Sequence, residues 1–160
     1  MRIMDKGIII LTLGFPLLQQ AVALQFQDQP GFELFSSGPA EEGMDRLVSQ
    51  VHPNLVIIDL DWLISKNSEH VSERHYHAFQ LLQRLHSEYP ETLFLILATY
   101  PDAILIHNTI ELGISGYLLK DDALTLHLPD VARTVCDGGY AFSHAVMNVG
   151  DSPTTLPPKS

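Results

Sequence analysis

The chain has 160 residues, 46% of them hydrophobic and 18% charged, which is typical of one globular domain and excludes a disordered chain. Its formal net charge of −10 and the lack of any Lys/Arg cluster argue against binding to nucleic acid or to an anionic membrane. The single cysteine, Cys136, excludes an internal disulfide and a multi-cysteine metal site, and we expect it to be a small buried side chain.

The first apolar run, Ile8–Leu18, has two interpretations. Two basic residues precede it and Ala21-Val22-Ala23 resembles a signal-peptide cleavage site, so a secreted precursor is one alternative. Asp5 in the basic segment and the pair Gln19-Gln20 are untypical of a signal peptide, and the run is too short to span a bilayer. We therefore interpret Ile8–Leu13 as a buried strand and expect a cytoplasmic protein.

Short apolar runs alternate with amphipathic segments along the chain, and such runs suit strands that are covered on both faces. The predicted strands are Ile8–Leu13, Phe32–Phe35, Leu55–Ile58, Leu93–Leu97 and Gly116–Leu119. The predicted helices are Pro16–Phe26, Ala40–Val51, Ser72–Glu88, Ala103–Leu112 and Pro129–Asp137. Their alternation predicts a doubly wound α/β domain over residues 1–148, with right-handed crossovers, followed by a flexible tail over residues 149–160.

Three motifs resemble a known family. They are PNLVIID over residues 53–59, ILATY and ELGISGYLLKD within residues 96–121, and GGYAFS over residues 138–143. These motifs are similar to receiver domains of response regulators, in particular the NarL/LuxR-type branch, and the match needs no gap from Ala98 to Lys120. The resemblance implies a flavodoxin-like (CheY-like) fold with a five-stranded parallel sheet of order 2-1-3-4-5 and five helices.

The resemblance also assigns positions in a phosphorylation site. It puts Asp59 at the phosphoryl-acceptor position and Lys120 at the position of the lysine that pairs with the phosphoryl oxygens. The two switch positions are Ala98, where the family has a small hydroxyl residue, and Tyr117, which keeps the aromatic ring. Thr99 could supply the hydroxyl only if the strand were offset by one residue, which would turn its side chain to the opposite face.

The acidic pair that holds Mg²⁺ in this family is missing. Its positions correspond to Leu13 and Gly14, and no carboxylate occurs between Lys6 and Asp28. Asp59 and Asp61 would be the remaining acidic ligands, so we expect weak Mg²⁺ binding at most and no other cofactor. The Asp121-Asp122 pair is interpreted as a helix start and not as a metal site.

The segment Leu60–His77 is about ten residues longer than the family pattern, and a loop of that length is usually functional or disordered. We expect it to cover the altered pocket or to present a new surface. Trp62 within it is interpreted as packing beneath the loop, with a partner anchor as the alternative. The segment also offers possible zinc ligands, which we interpret as solvated because their spacing is not standard: His70, His75, His77, Glu69 and Glu73.

The favoured function is an atypical receiver in two-component signalling that binds a protein partner largely independently of phosphorylation, with no enzymatic activity. The resemblance implies surfaces on the fourth helix, fifth strand and fifth helix, or on the first and fifth helices in a homodimer. One alternative is a conventional single-domain receiver that a histidine kinase phosphorylates on Asp59. A small flavodoxin-like enzyme or ligand-binding protein is a further alternative, which only the fold supports. We expect no attached output domain and no nucleic-acid or membrane contact through this domain.

Overall fold

The computed structural model of the protein describes residues 7–38, 40–65 and 71–150. Six strands and eight helices lie within this part of the chain. The strands are β1 Gly7–Thr12, β2 Phe32–Ser36, β3 Leu55–Asp59, β4 Leu93–Ala98, β5 Gly116–Leu119 and β6 Ala141–Phe142. The helices are α1 Pro16–Phe26, α2 Glu41–Val51, α3 Leu60–Ser65, α4 Val71–Glu88, α5 Ala103–Glu111, α6 Lys120–Thr125, α7 Leu128–Cys136 and α8 His144–Gly150.

All six strands are parallel and form one sheet in the order β2-β1-β3-β4-β5-β6. The prediction of a parallel sheet is confirmed, whereas the predicted number of five strands is wrong. The additional strand β6 has two residues, which pair with Gly116 and Tyr117 of β5. A two-residue strand carries no hydrophobic period, so it could not be recognised in the sequence.

The central strands are buried on both sides, because successive side chains point to opposite faces of the sheet. One face packs against α2, α4, α5 and α8, and its core includes Ile10, Val56, Ile58, Phe94 and Ile96. The other face packs against α1, α6 and α7, and its core includes Ile9, Leu11, Ile57, Leu95 and Leu97. This double covering explains the uninterrupted apolar runs that identified the strands.

The prediction of five helices is wrong, since the described residues contain eight. The three that were missed, α3, α6 and α8, have six or seven residues each, which is too short for a clear amphipathic pattern. Residues 149 and 150, assigned above to the tail, belong to α8, and the rest of that predicted tail lies outside the described residues. No helix in residues 7–38, 40–65 and 71–150 is both long and apolar enough to cross a membrane.

One predicted side-chain orientation is wrong, and α1 has an exposed apolar side. Cys136 was expected to be buried but is exposed, because Ala132 and Val135 provide the buried face of α7 and Cys136 lies one residue beyond that face. In α1, Leu17 and Leu24 are exposed at 79% and 66%. The side chains of α1 that are buried are Leu18, Val22 and Phe26.

Candidate functional site

Asp59 is the last residue of β3, at the carboxyl edge of the sheet where open α/β folds place their sites. Its side chain is 0% exposed. The backbone N–H of Gly14 donates to Oδ2 at 3.2 Å, and the backbone N–H of Trp62 donates to Oδ1 at 3.2 Å. A buried carboxylate requires such donors. Here one comes from the loop after β1 and the other from α3, which directly follows β3.

Lys120 supplies the countercharge for this carboxylate. It begins α6 directly after β5, and its Nζ lies 2.8 Å from Oδ1 of Asp59. The same ammonium lies 3.4 Å from Oδ2 of Asp61, and the Lys120 side chain is only 14% exposed. The structure thus brings together Asp59 and Lys120, which the family resemblance singled out, and the ammonium is shared between two carboxylates.

The two acidic-pair positions at the end of β1 have different surroundings. Leu13 is buried in the core beneath α1 and α7, so an ionised side chain there would lose its hydration. Gly14 lies against the indole ring of Trp62: a Cβ at residue 14 would lie 2.6 Å from Cε3 and still closer to Cγ and Cδ2. Any side chain at residue 14 would therefore require Trp62 to move.

An aromatic cover, defined as the side chains of Phe15 and Trp62, lies beside this ion pair. The two ring centroids are 5.4 Å apart with an interplanar angle of 72°, an edge-to-face arrangement. The Lys120 Nζ lies 5.1 Å from the centroid of the Phe15 ring, within cation–π range. Trp62 is half-buried, which agrees with the interpretation of this residue as a packing side chain.

Asp61 lies in the first turn of α3, past the end of β3. Its Oδ2 accepts hydrogen bonds from the Thr99 backbone N–H at 2.6 Å and from the Thr99 Oγ1 at 2.8 Å. Thr99, which was discounted as a switch residue, thus joins the end of β4 to α3 through Asp61. An oxygen that already holds these donors and Lys120 is a poor ligand for a cation.

The receiver resemblance implies a Mg²⁺ ion at this edge, and the residues present do not fit it. Mg²⁺ requires near-octahedral oxygen coordination. Leu13 and Gly14 provide no carboxylate, the Gly14 Cα is covered by Trp62, and both carboxylates in reach are bonded to Lys120. The Asp121-Asp122 pair lies in the first turn of α6, as expected of a helix start.

The two switch positions are buried on neighbouring strands of the sheet. Ala98 ends β4, is 1% exposed and pairs with Leu119. Tyr117 in β5 is 0% exposed, and its hydroxyl donates to the Tyr100 backbone carbonyl at 2.9 Å. Burial raises the pKa of the Tyr117 phenol well above its ordinary value. The ring therefore lies inside the protein, anchored to the loop after β4.

The segment Leu60–His77, expected to be a long loop, is largely helical. It contains α3 and the first residues of α4, and only residues 66–70 lie outside the description. The expectation of a loop is therefore wrong for most of its length, because helix α3 follows β3 without an intervening turn. A cavity of about 90 Å³ lies beside it, lined by Asp61, Arg74, His75, Tyr100, Asp102, Leu105 and Tyr117.

The histidines considered as zinc ligands are not assembled into a site within the described residues. No group of three His, Cys, Asp or Glu side chains there could hold a metal ion. His70 and Glu69 lie outside the described residues. His75 was expected to be solvated, but it is 16% exposed and its Nε2 lies 2.8 Å from Oδ2 of Asp102.

Three residues of the site were missed by sequence reasoning or were given no role in it: Phe15, Trp62 and Thr99. The site contacts of Phe15 and Trp62 join residues far apart in the chain, and no local motif encodes them. The one available signal was the missing acidic pair at Leu13 and Gly14, which the aromatic Phe15 follows directly.

The sequence comparisons identify one similar curated protein. No protein-family model matches the chain. The transcriptional regulatory protein DegU of Brevibacillus brevis is 26% identical over 143 residues, which cover 88% of this chain and 54% of DegU. The chain thus spans about half the length of this curated relative.

Solved structures share the fold. The isolated REC domain of RcsB from Salmonella enterica serovar Typhimurium, in the apo form, has a TM-score of 0.73 at 13% identity, over 92% of this chain and 100% of that domain. A LuxR-family two-component response regulator from Aurantimonas sp. SI85-9A1 has a TM-score of 0.70 at 17% identity, over 90% of this chain and 94% of that one. At these identities the likeness concerns the fold.

Proposed function

This chain is a receiver domain of the NarL/LuxR type, and from that premise we propose that it is an atypical receiver, which binds a protein partner without phosphorylation of Asp59. The observation that carries the proposal is the state of the Asp59 carboxylate. It is 0% exposed, and its oxygens accept from Gly14, Trp62 and Lys120. A phosphoryl donor has no free, solvent-facing oxygen to react with.

The chemistry of phosphoryl transfer supports the same proposal. Transfer to a carboxylate brings negative charge together, and proteins stabilise that charge with metal ions and precisely placed cations. Here Lys120 is the one cation bonded to Asp59 in the described residues, and it also lies 3.4 Å from Asp61. The donor set around Asp59 therefore stabilises the unmodified carboxylate and leaves little to stabilise a phosphorylated one.

A second copy of this chain is the partner that a specific observation favours. Helix α1 carries no charged residue, and it exposes Leu17 and Leu24, which lie seven residues apart on one side of the helix. A homodimer formed through α1 and α7 would cover these leucines. We propose no enzymatic activity and a cytoplasmic location, as the relationship to response regulators suggests.

The phosphorylation state of Asp59 is the direct test. The protein is incubated with acetyl phosphate and Mg²⁺ and its intact mass is measured, with Asp59→Asn as the matched control and a conventional receiver as the positive control. We expect the wild-type mass to stay unchanged. A stable added phosphoryl mass that is absent from Asp59→Asn would favour the conventional receiver and a histidine kinase as its partner.

Independence from phosphorylation is tested on binding itself. The protein is immobilised with and without acetyl phosphate, and the proteins it retains are compared. We expect the same set under both conditions, because the donors that hold Asp59 come from the chain itself. A partner retained only after acetyl phosphate treatment contradicts the proposal.

A further inference from the structure

We infer that Trp62 and Gly14 are a matched pair that closes this site against divalent cations, with the Lys120 ammonium as its permanent cation. The inference rests on the proposed function, since it explains how the site works without a metal. It concerns the disagreement between the Mg²⁺ that the fold implies and the residues that are present.

The first step is steric. The indole of Trp62 lies so close to Gly14 that a Cβ at residue 14 would overlap its Cγ and Cδ2. The indole therefore fills the space into which a carboxylate at residue 14 would project. The same residue donates its backbone N–H to Asp59 at 3.2 Å, so the backbone of Trp62 is also fixed at the site.

The second step concerns the oxygens that remain. The Lys120 Nζ contacts Oδ1 of Asp59 at 2.8 Å and Oδ2 of Asp61 at 3.4 Å. A divalent cation that bound these two oxygens would have to displace this ammonium. At Oδ2 of Asp61 it would also compete with the two hydrogen bonds from Thr99, which are 2.6 and 2.8 Å long.

The third step concerns the aromatic cover of Phe15 and Trp62. The Phe15 ring lies 5.1 Å from the Lys120 Nζ and packs edge-to-face on Trp62. A cation beside an aromatic face in a partly buried site is held electrostatically and loses access to water. Trp62 thus provides the steric closure and Phe15 the contact with the ammonium, and the packing of the two rings couples these effects.

The test restores the missing carboxylate together with the space for it. Mn²⁺ binding is followed by electron paramagnetic resonance of the free ion, and in the wild type, which keeps Trp62, also by the fluorescence of this single tryptophan. We expect no saturable binding by the wild type at millimolar Mn²⁺. The double variant Gly14→Asp/Trp62→Ala should bind Mn²⁺ saturably.

The matched control is Gly14→Asn/Trp62→Ala, which has the same size without the charge. Its affinity for Mn²⁺ should be lower by about tenfold or more, because the neutral amide lacks the charge of a carboxylate ligand and even the loss of an outer-shell partner costs about that much. Saturable binding by the wild type, or a folded Gly14→Asp/Trp62→Ala variant that binds no better than its Asn counterpart, would overturn the inference. Should neither double variant fold, the wild-type titration decides alone.

The proposed function and the closure of the site against divalent cations can be contradicted independently of each other. A wild-type protein that binds Mn²⁺ and yet stays unphosphorylated contradicts the closure of the site and leaves the proposed function standing. A protein that acetyl phosphate modifies on Asp59 contradicts the proposed function, whatever the Mn²⁺ titration gives for the site.

Discussion

The Nε2 of His75 lies 2.8 Å from Oδ2 of Asp102, and this contact joins the N-terminal part of α4 to the residue that precedes α5. Asp102 is also the N-cap of α5, because its Oδ1 accepts from the backbone N–H groups of Ile104 and Leu105. One carboxylate therefore begins α5 and fixes α4 beside it. Both residues line the 90 Å³ cavity next to Tyr117.

The two roles of Asp102 can be separated by substitution. Asp102→Asn keeps a good N-cap residue and weakens the contact with His75, so we expect a loss of about 1 kcal/mol in the free energy of unfolding. Asp102→Ala should lose about 1 kcal/mol more, because the cap is removed as well. Urea denaturation of both variants and of His75→Ala measures the difference. Equal losses for Asn and Ala would contradict the capping role.

Removal of Lys120 should be among the most damaging single changes at the site. Lys120→Met leaves the Asp59 carboxylate buried without its cation, and we expect a loss of about 3–5 kcal/mol in unfolding free energy. The double variant Lys120→Met/Asp59→Asn should recover most of this loss, because no buried charge remains. Chemical denaturation of the double-mutant cycle gives the coupling between the two residues.

Exposed Arg46 provides the control for loss of a basic side chain. Arg46→Met removes the same charge from the surface and should change the unfolding midpoint little. If Lys120→Met is no more damaging than Arg46→Met, the Asp59–Lys120 pair does not hold the site together.

A methyl group at residue 14 should destabilise the protein only while Trp62 is present. The added methyl group of Gly14→Ala would clash with the indole ring. We therefore expect a loss of about 1–3 kcal/mol in the free energy of unfolding, together with a shift in the fluorescence emission of Trp62. In a Trp62→Ala background the same change should cost less than about 1 kcal/mol. Thermal unfolding and tryptophan fluorescence of the four proteins test this. An equal cost in both backgrounds would refute the contact as its cause.

Because the Tyr117 phenol is buried, we expect the free energy of unfolding to fall at alkaline pH. Burial raises the pKa of this phenol above its unfolded value of 10.0, so the folded state binds the proton more tightly than the unfolded state. Its contribution is complete below pH 10 and is lost as pH rises further. Tyr117→Phe should cost about 1 kcal/mol at neutral pH and flatten the decline above pH 10. Denaturation curves across this pH range provide the measurement, and an unchanged alkaline slope is the contrary outcome.

A substitution on the exposed side of α1 tests the proposed homodimer. Leu24→Glu places a charge on the uncharged, exposed side of α1, and we expect it to convert a dimer of the wild type into a monomer while the fold is kept. Light scattering coupled to size exclusion gives the mass of both proteins. Leu124→Glu, on a second exposed leucine in α6, is the matched control. If the wild type is a monomer at all concentrations, a second copy of this chain is not its partner.

The parts of this molecule that could be predicted are those with strong local patterns. The run Leu55–Asp59 is apolar until its final acid, so both the strand and the position of Asp59 followed from the sequence. Lys120, which the family resemblance singled out, comes directly after β5. The carboxyl edge of a parallel sheet gathers the residues that follow its strands, which accounts for their proximity.

The rest of the site depends on contacts that no local pattern encodes. Trp62 reaches Gly14 across 48 positions in the chain, and Asp61 reaches Thr99 across 38. Trp62 and Asp61 lie in α3, a six-residue helix that was expected to be loop. Once that helix begins directly after β3, its first turn must point back over the strand ends.

The contact between Gly14 and Trp62 also constrains which substitutions these two positions can accept. A carboxylate at residue 14 clashes while the indole is present, and loss of the indole alone leaves a hole without a ligand. Either single substitution is therefore unfavourable, so the two positions can change only together. A designer who wished to build a cation site at this edge would have to replace Trp62 in the same step as Gly14.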